Sequence, residues 1–194
     1  MQQVAAIERF RDTHAFLSNF TPAVVKYGKY EFPTAENAYQ FAKVLKDRIT
    51  DDIAAKFQTA TPAKAKAFGK ALHENSMIRP DWAEIKELVM AYLVDQKFKI
   101  PELREQLLRT GNAELIEGNL HHDNDWGDCR CTTAKPEDRR YGQRQKCHMR
   151  GQNKLGKLLM TIRASLFAAD PFRCPLCGSQ KNLAQLDVVP GMAP

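Results

Sequence analysis

Glu36, Gln40 and Lys43 stand at i, i+4 and i+7 in the run P-T-A-E-N-A-Y-Q-F-A-K, residues 33–43. On a helix that turns every ~3.6 residues, this spacing stacks a carboxylate, an amide and an amine in one column. Such a column can do acid/base work, and its amine can attack carbon once it is neutral. The same spacing also describes a hydrated helix face, and these residues alone leave both readings open.

A second polar block is H-H-D-N-D-W-G-D-C, residues 121–129, which holds one of only two tryptophans. Trp126 beside Asp125 and Asp128 can stack on a planar base or sugar while a carboxylate acts on the adjacent bond. It can equally plug the edge of a core with its acids solvated. His121 and His122 suit a phosphate or a base but also a solvated loop, and His14 and His73 have no evident partner. Cys174 and Cys177 in C-P-L-C-G have the form of a zinc knuckle, which would supply two of the four ligands of a tetrahedral zinc, and they read equally as reduced thiols with no metal. Further ligands must lie upstream, among Cys129, Cys131, Cys147 and His148.

These residues need elements to hold them. Residues 23–32 alternate as a short hairpin turning at Tyr27-Gly28, and the helix carrying Glu36 follows from Thr34 and fades near Asp47. A small helix is expected over 52–58. Thr61-Pro62 opens another, running to about Leu72. The longest spans 81–99, with an apolar stripe of Trp82, Ile85, Leu88, Val89, Tyr92, Leu93 and Val94. Helices over 101–109, closed by Gly111, and over 154–168 complete the set, with a short strand near 113–117 and irregular chain from 118 to 150. The expected fold class is α+β, mainly α-helical, with a short N-terminal β-hairpin and a C-terminal extension. Residues 1–170 read as one catalytic domain and 171–194 as the extension with the C-x-x-C turn.

With 194 residues, 43% of them hydrophobic, the chain can bury a sizeable core. Its net charge is +6. Nine basic residues against Glu137 and Asp138 give +7 between Arg130 and Lys157, leaving −1 elsewhere. An excess gathered in one segment favours an anionic partner. Residues 1–10 lack a signal-peptide core, and no apolar run approaches the ~20 residues that span a bilayer. Five cysteines without a secretion signal point to a reducing compartment, so a cytoplasmic protein with no membrane contact is expected.

In order along the chain, F-L-S-N-F (16–20), T-A-E-N-A-Y-Q-F-A-K (34–43), D-W-G-D (125–128) and G-Q-N-K-L-G-K-L-L-M (151–160) resemble the NADAR family. The resemblance covers roughly residues 10–168. It implies a YbiA-like fold and hydrolysis of N-glycosidic bonds at ribose C1′. One branch of the family acts on phosphoribosylamino-pyrimidine intermediates of riboflavin synthesis. Another removes ADP-ribose from guanine bases. Carried over, the resemblance makes Glu36 and Asp128 catalytic carboxylates and Lys43 the active-site amine. Gln40 supports the site, Trp126 stacks, and Ser18, Asn19 and Asn153 hold sugar or phosphate. The family commonly has histidine after the helix glutamate, where this chain has Asn37, so an imidazole role at that place is in doubt.

Two routes fit these residues. A carboxylate can activate water against an oxocarbenium-like C1′, or a neutral Lys43 can attack C1′ and form an imine. No catalytic cofactor is implied. With Cys129 placed in the pocket wall after Asp128, the preferred ligands of a structural zinc are Cys131, Cys147, Cys174 and Cys177. The insert 132–146, which contains Arg139, Arg140 and Arg144, then projects as a basic loop suited to phosphates. The principal expectation is removal of ADP-ribose from modified guanine in nucleic acid, gripped through that insert. The alternatives are hydrolysis of the riboflavin intermediate and a non-catalytic ADP-ribose or nucleic-acid binding module. The joint presence of Glu36, Lys43 and Asp128 argues against the last.

Overall fold

A computed structural model describes residues 6–120, 122–129 and 151–169. The insert 132–146, the extension 171–194, His121, and the expected zinc ligands Cys131, Cys147, Cys174 and Cys177 lie outside the described residues. Those described form a mainly helical α+β structure with short strands. They divide into two compact units, Phe10–Arg104, and the described residues before Phe10 with those after Arg104.

β1 (Ala6–Ile7) belongs to the second unit, and the chain enters the first through a 3-10 turn at Asp12–Leu17. The hairpin of β2 (Pro22–Tyr27) and β3 (Tyr30–Thr34) follows, antiparallel with Val25 opposite Phe32 and Tyr27 opposite Tyr30. Its turn is Gly28-Lys29, one residue later than Tyr27-Gly28, because the left-handed backbone (φ 60°) falls on Gly28 as its first residue. Ala23, Val25 and Phe32 point inward while Val24 and Lys26 face out, the alternation a one-sided sheet requires.

The chain then enters α1 (Ala35–Phe41), whose seven residues are all buried. Both hairpin strands, α2 (Asp51–Thr59), α3 (Pro62–Glu74) and α4 (Trp82–Lys97) pack around it. Phe41 anchors the helix among Tyr27, Tyr30, Phe32 and Phe57, with ring centroids 4.9–6.4 Å away. Thr34, Thr50 and Thr61 each accept a backbone N–H from the first turn of their helices. On α4 the buried stripe runs through Val89, Met90, Leu93, Val94 and Lys97. Leu88 and Tyr92, expected in the core, are 72% and 53% exposed because they fall one step round the helix from that stripe.

Helix α5 (Pro101–Arg109) ends at Gly111 (φ 55°). In the second unit β1 pairs in parallel with β4 (Glu114–Leu115), and β5 (Gly118–Asn119) with β6 (Asp128–Cys129). The two-residue strands β5 and β6 lie in a region expected to be irregular. They form because polar side chains, not apolar ones, organise the loop between them. Helix α6 (Lys154–Ala168) packs on β4, with Leu155 and Leu159 fully buried. Arg163 on α6 is buried and donates to Thr110 Oγ1 and Ala113 O.

Candidate active site

Burial answers the question that spacing left open for α1. Glu36 is 6% and Gln40 4% exposed, so the polar residues of this helix are not a hydrated face. Gln40 Nε2 donates to Glu36 Oε1 at 2.8 Å, across one turn. Glu36 sits in the first turn, where the helix end favours a negative group, and its N–H donates to Asn19 O at 3.1 Å. Gln40 Oε1 is buried without a hydrogen-bond partner, and so is Asn19 Oδ1. An unmet buried acceptor costs about 1–3 kcal/mol, which a donor arriving with a ligand would relieve.

Lys43 is not the third member of a helical column, as the spacing predicted. The helix stops at Phe41, since Val44 leaves it to pair with Ile78 and Lys43 O accepts Arg79 N–H. The lysine still stays in the neighbourhood. Its Nζ lies 5.3 Å from the Tyr39 ring centroid and 5.8 Å from that of Trp82, and the two ring centroids are 5.0 Å apart with their planes tilted by 59°. Burial pushes the Lys43 amine below the usual lysine range. Lys66 and Lys86 push it further down, while the charge of Glu36 opposes them.

Gln40, Lys43 and Phe20 line a pocket of about 460 Å³ whose remaining wall is α3. That size suits a small-molecule site, typically ~300–1,000 Å³. α3 comes close because its Gly69 is buried against Gln40, and a Cβ there would overlap Gln40 Oε1. Neither ring is marked by the sequence: Trp82 reads as part of the apolar stripe of α4, and Tyr39 as one more aromatic in the motif that carries Glu36.

Ser18 and Asn19 belong to the same unit as α1. Ser18 Oγ accepts Phe20 N–H, and Ser18 O accepts Lys97 Nζ at 2.6 Å. Asn19 Nδ2 donates to Met90 Sδ. Asn37 turns away from this group. It is fully buried, donates to Phe57 O and Ala60 O, and its Oδ1 accepts Thr34 Oγ1–H. The side chain at this position therefore ties α1 to the end of α2 and faces away from Glu36 and Gln40.

Trp126, Asp128 and Asn153 lie in the second unit. Asp123 Oδ1 accepts the N–H groups of Asp125 and Trp126, and Asn124 Oδ1 accepts that of Cys129. Trp126 is half-buried, and its carbonyl accepts Leu155 N–H. Asp128 is 6% exposed and accepts Gly151 N–H at 2.8 Å. Asn153 adopts φ 50°, accepts Glu117 N–H and donates to Leu115 O, so both ends of its amide hold backbone. Cys129, the residue after Asp128, is buried. Among the described residues no group of His, Cys, Asp and Glu is placed to hold a metal, and no helix is long and apolar enough to cross a membrane.

The NADAR domain model matches residues 7–167. The chain is 30% identical over 158 residues to N-glycosidase YbiA of Escherichia coli (strain K12), spanning 80% of this chain and 83% of that protein. It is 29% identical over 162 residues to a riboflavin biosynthesis protein of Vibrio vulnificus (strain YJ016), covering 83% of this chain but only 38% of that longer protein. The NMR structure of E. coli YbiA superposes with a TM-score of 0.63 at 26% identity, over 87% of this chain and 89% of that one. By its motifs, its fold and the match along most of its length, the chain belongs to the NADAR domain family.

Proposed function

We propose that the chain is an N-glycosidase that hydrolyses the bond between ribose C1′ and a base nitrogen, with ADP-ribose attached to guanine in nucleic acid as its principal substrate. The hydrolase class rests on the family and on relatives named N-glycosidase. The observation that carries the site is the company Gln40 keeps. It is a buried amide with an unpaired acceptor, bonded to a buried carboxylate, and it lines a pocket with an amine disfavoured as a cation. Ribose hydroxyls are donors of the kind this acceptor lacks.

In the proposed route neutral Lys43 Nζ attacks C1′ as the C1′–N bond breaks, and the base leaves with the electron pair and takes up a proton. Nζ gives its proton to a carboxylate, for which Glu36 is the candidate. The C1′–O4′ bond then opens to an iminium, water adds at C1′, and loss of Nζ regenerates the lysine. One water is consumed in all. Trp126 as the stacking residue and Asp128 as a second carboxylate are nominated by the resemblance, and their part is tested by substitution.

The +7 segment supports the nucleic-acid substrate, because a small metabolite has little need of it. The name of the Vibrio relative supports the alternative, a phosphoribosylamino-pyrimidine of riboflavin synthesis. Turnover of ADP-ribosylated guanine in DNA compared with that pyrimidine decides between them, and turnover of neither rejects the N-glycosidase. Borohydride added during turnover should trap a sugar adduct on Lys43. Turnover without any adduct would assign direct water attack.

A further inference from the structure

The pocket wall supplied by α3 consists of Ala63, Lys66, Ala67 and Lys70, at i, i+3, i+4 and i+7, one face of that helix. Two ammonium groups one turn apart therefore border the pocket that Gln40 and Lys43 line from the other side. Lys66 has no ion-pair partner among the described residues. Lys70 has only a long contact with Glu74, 3.7 Å between side chains 79% and 60% exposed. A pair so hydrated holds its lysine weakly. Between the two lysines the surface is small and apolar, and Phe20, 41% exposed, continues it. The pocket thus offers cations at its edge, an apolar floor, and a buried amide acceptor without a donor.

We propose that Lys66 and Lys70 form a phosphate-binding arm of this pocket, so that a ribosyl substrate is held by the phosphate it carries while its sugar reaches Gln40 and Lys43. This rests on the N-glycosidase reading for the identity of the sugar, though not for the anion. The ligand chemistry is a sugar phosphate, whether the 5′-phosphate of a phosphoribosyl group or the diphosphate of ADP-ribose. The arm lies on α3, far in sequence from the basic insert 132–146. Lysine binds phosphate as a mobile point charge, which suits an arm that must accept either.

The test measures binding to the full chain of ribose 5-phosphate, ADP-ribose and uncharged ribose, by calorimetry at low and high salt. The variants are K66Q, K70Q and the double variant, with K64Q, on the same helix but off the pocket face, as control. The double variant is expected to bind both phosphates at least about tenfold more weakly and with a flatter salt dependence, leaving ribose and K64Q unchanged. Equal phosphate binding by wild type and double variant overturns the arm, as does an equal loss in K64Q. Binding needs no turnover, so the two readings fail separately. A chain that binds through Lys66 and Lys70 but cleaves no N-glycoside rejects the hydrolase alone. A chain that cleaves with an unchanged KM in the double variant rejects the arm alone.

Discussion

Gln40 donates to Glu36 at 2.8 Å on a helix with no exposed residue, and its own carbonyl oxygen is left without a donor. The pair is therefore half of a hydrogen-bonded arrangement that a donor brought by a ligand would complete. Glu36→Gln keeps the shape and most of the packing but removes the charge. It is expected to lower kcat by about 10²–10⁴, the range for a group that moves a proton in the transition state. Thermal unfolding should stay close to wild type, and steady-state kinetics beside a melting curve checks both.

In the proposed route the lowered pKa of Lys43 gives the rate a pH dependence of definite sign. Only the neutral amine attacks, so kcat should rise with pH through a limb whose midpoint lies below the usual lysine value. Lys86→Gln removes a cation that disfavours the charged amine and should move the limb to higher pH. Glu36→Gln removes the opposing anion, and its residual rate should show the limb at lower pH. Lys43→Gln should abolish both the limb and the borohydride adduct. A pH–rate profile that does not move in the Lys86 variant would reject the amine as the titrating group.

Gly69→Ala tests the close approach of α3 to α1. The added methyl occupies the place of Gln40 Oε1 and must drive the amide from its bond with Glu36. Overpacking of this kind typically costs ~1–3 kcal/mol. Because the fold loses one buried hydrogen bond while the pocket loses its amide and Glu36 its partner, activity is expected to fall further than stability. Denaturant unfolding and kinetics on the same preparation separate the two.

Asn37→Ala removes three side-chain hydrogen bonds and leaves Phe57 O and Ala60 O without this donor. The expected loss is about 2–4 kcal/mol of folding stability, with kcat of the remaining folded protein little changed. A variant that folds as well as wild type but has lost activity would return this position to the catalytic group.

The helices were legible because their signals are local. Thr34, Thr50 and Thr61 cap them, Pro62 opens α3, and Pro101 stops the helix before it. What sequence could not give was the end of α1, since Ala42 and Lys43 are good helix residues and only the long-range pairing of Val44 with Ile78 draws them out. Total charge likewise concealed the lysines of the pocket. Lys66 and Lys70 are offset in the sum by acids elsewhere, although their i, i+4 spacing beside two alanines was readable. The D-N-D-W-G-D block reads as polar, yet the burial of Asp128 and the half-burial of Asp123 to Trp126 do not show in it, because Asp123 and Asn124 satisfy backbone groups of the same loop.

Asp128→Asn distinguishes a structural carboxylate from a catalytic one. In the structure Asp128 accepts Gly151 N–H, and the asparagine carbonyl can accept the same bond, so the local backbone should persist. If Asp128 only ties that segment down, stability changes by under about 1 kcal/mol and kcat stays within a few-fold, as for loss of one charged acceptor. The catalytic role nominated for it requires kcat to fall by about 10² or more at unchanged stability. Asp128→Ala completes the comparison: it should destabilise under either role, because Gly151 N–H then loses this acceptor. A drop in kcat common to both variants, with instability confined to alanine, is the result expected of a second catalytic carboxylate.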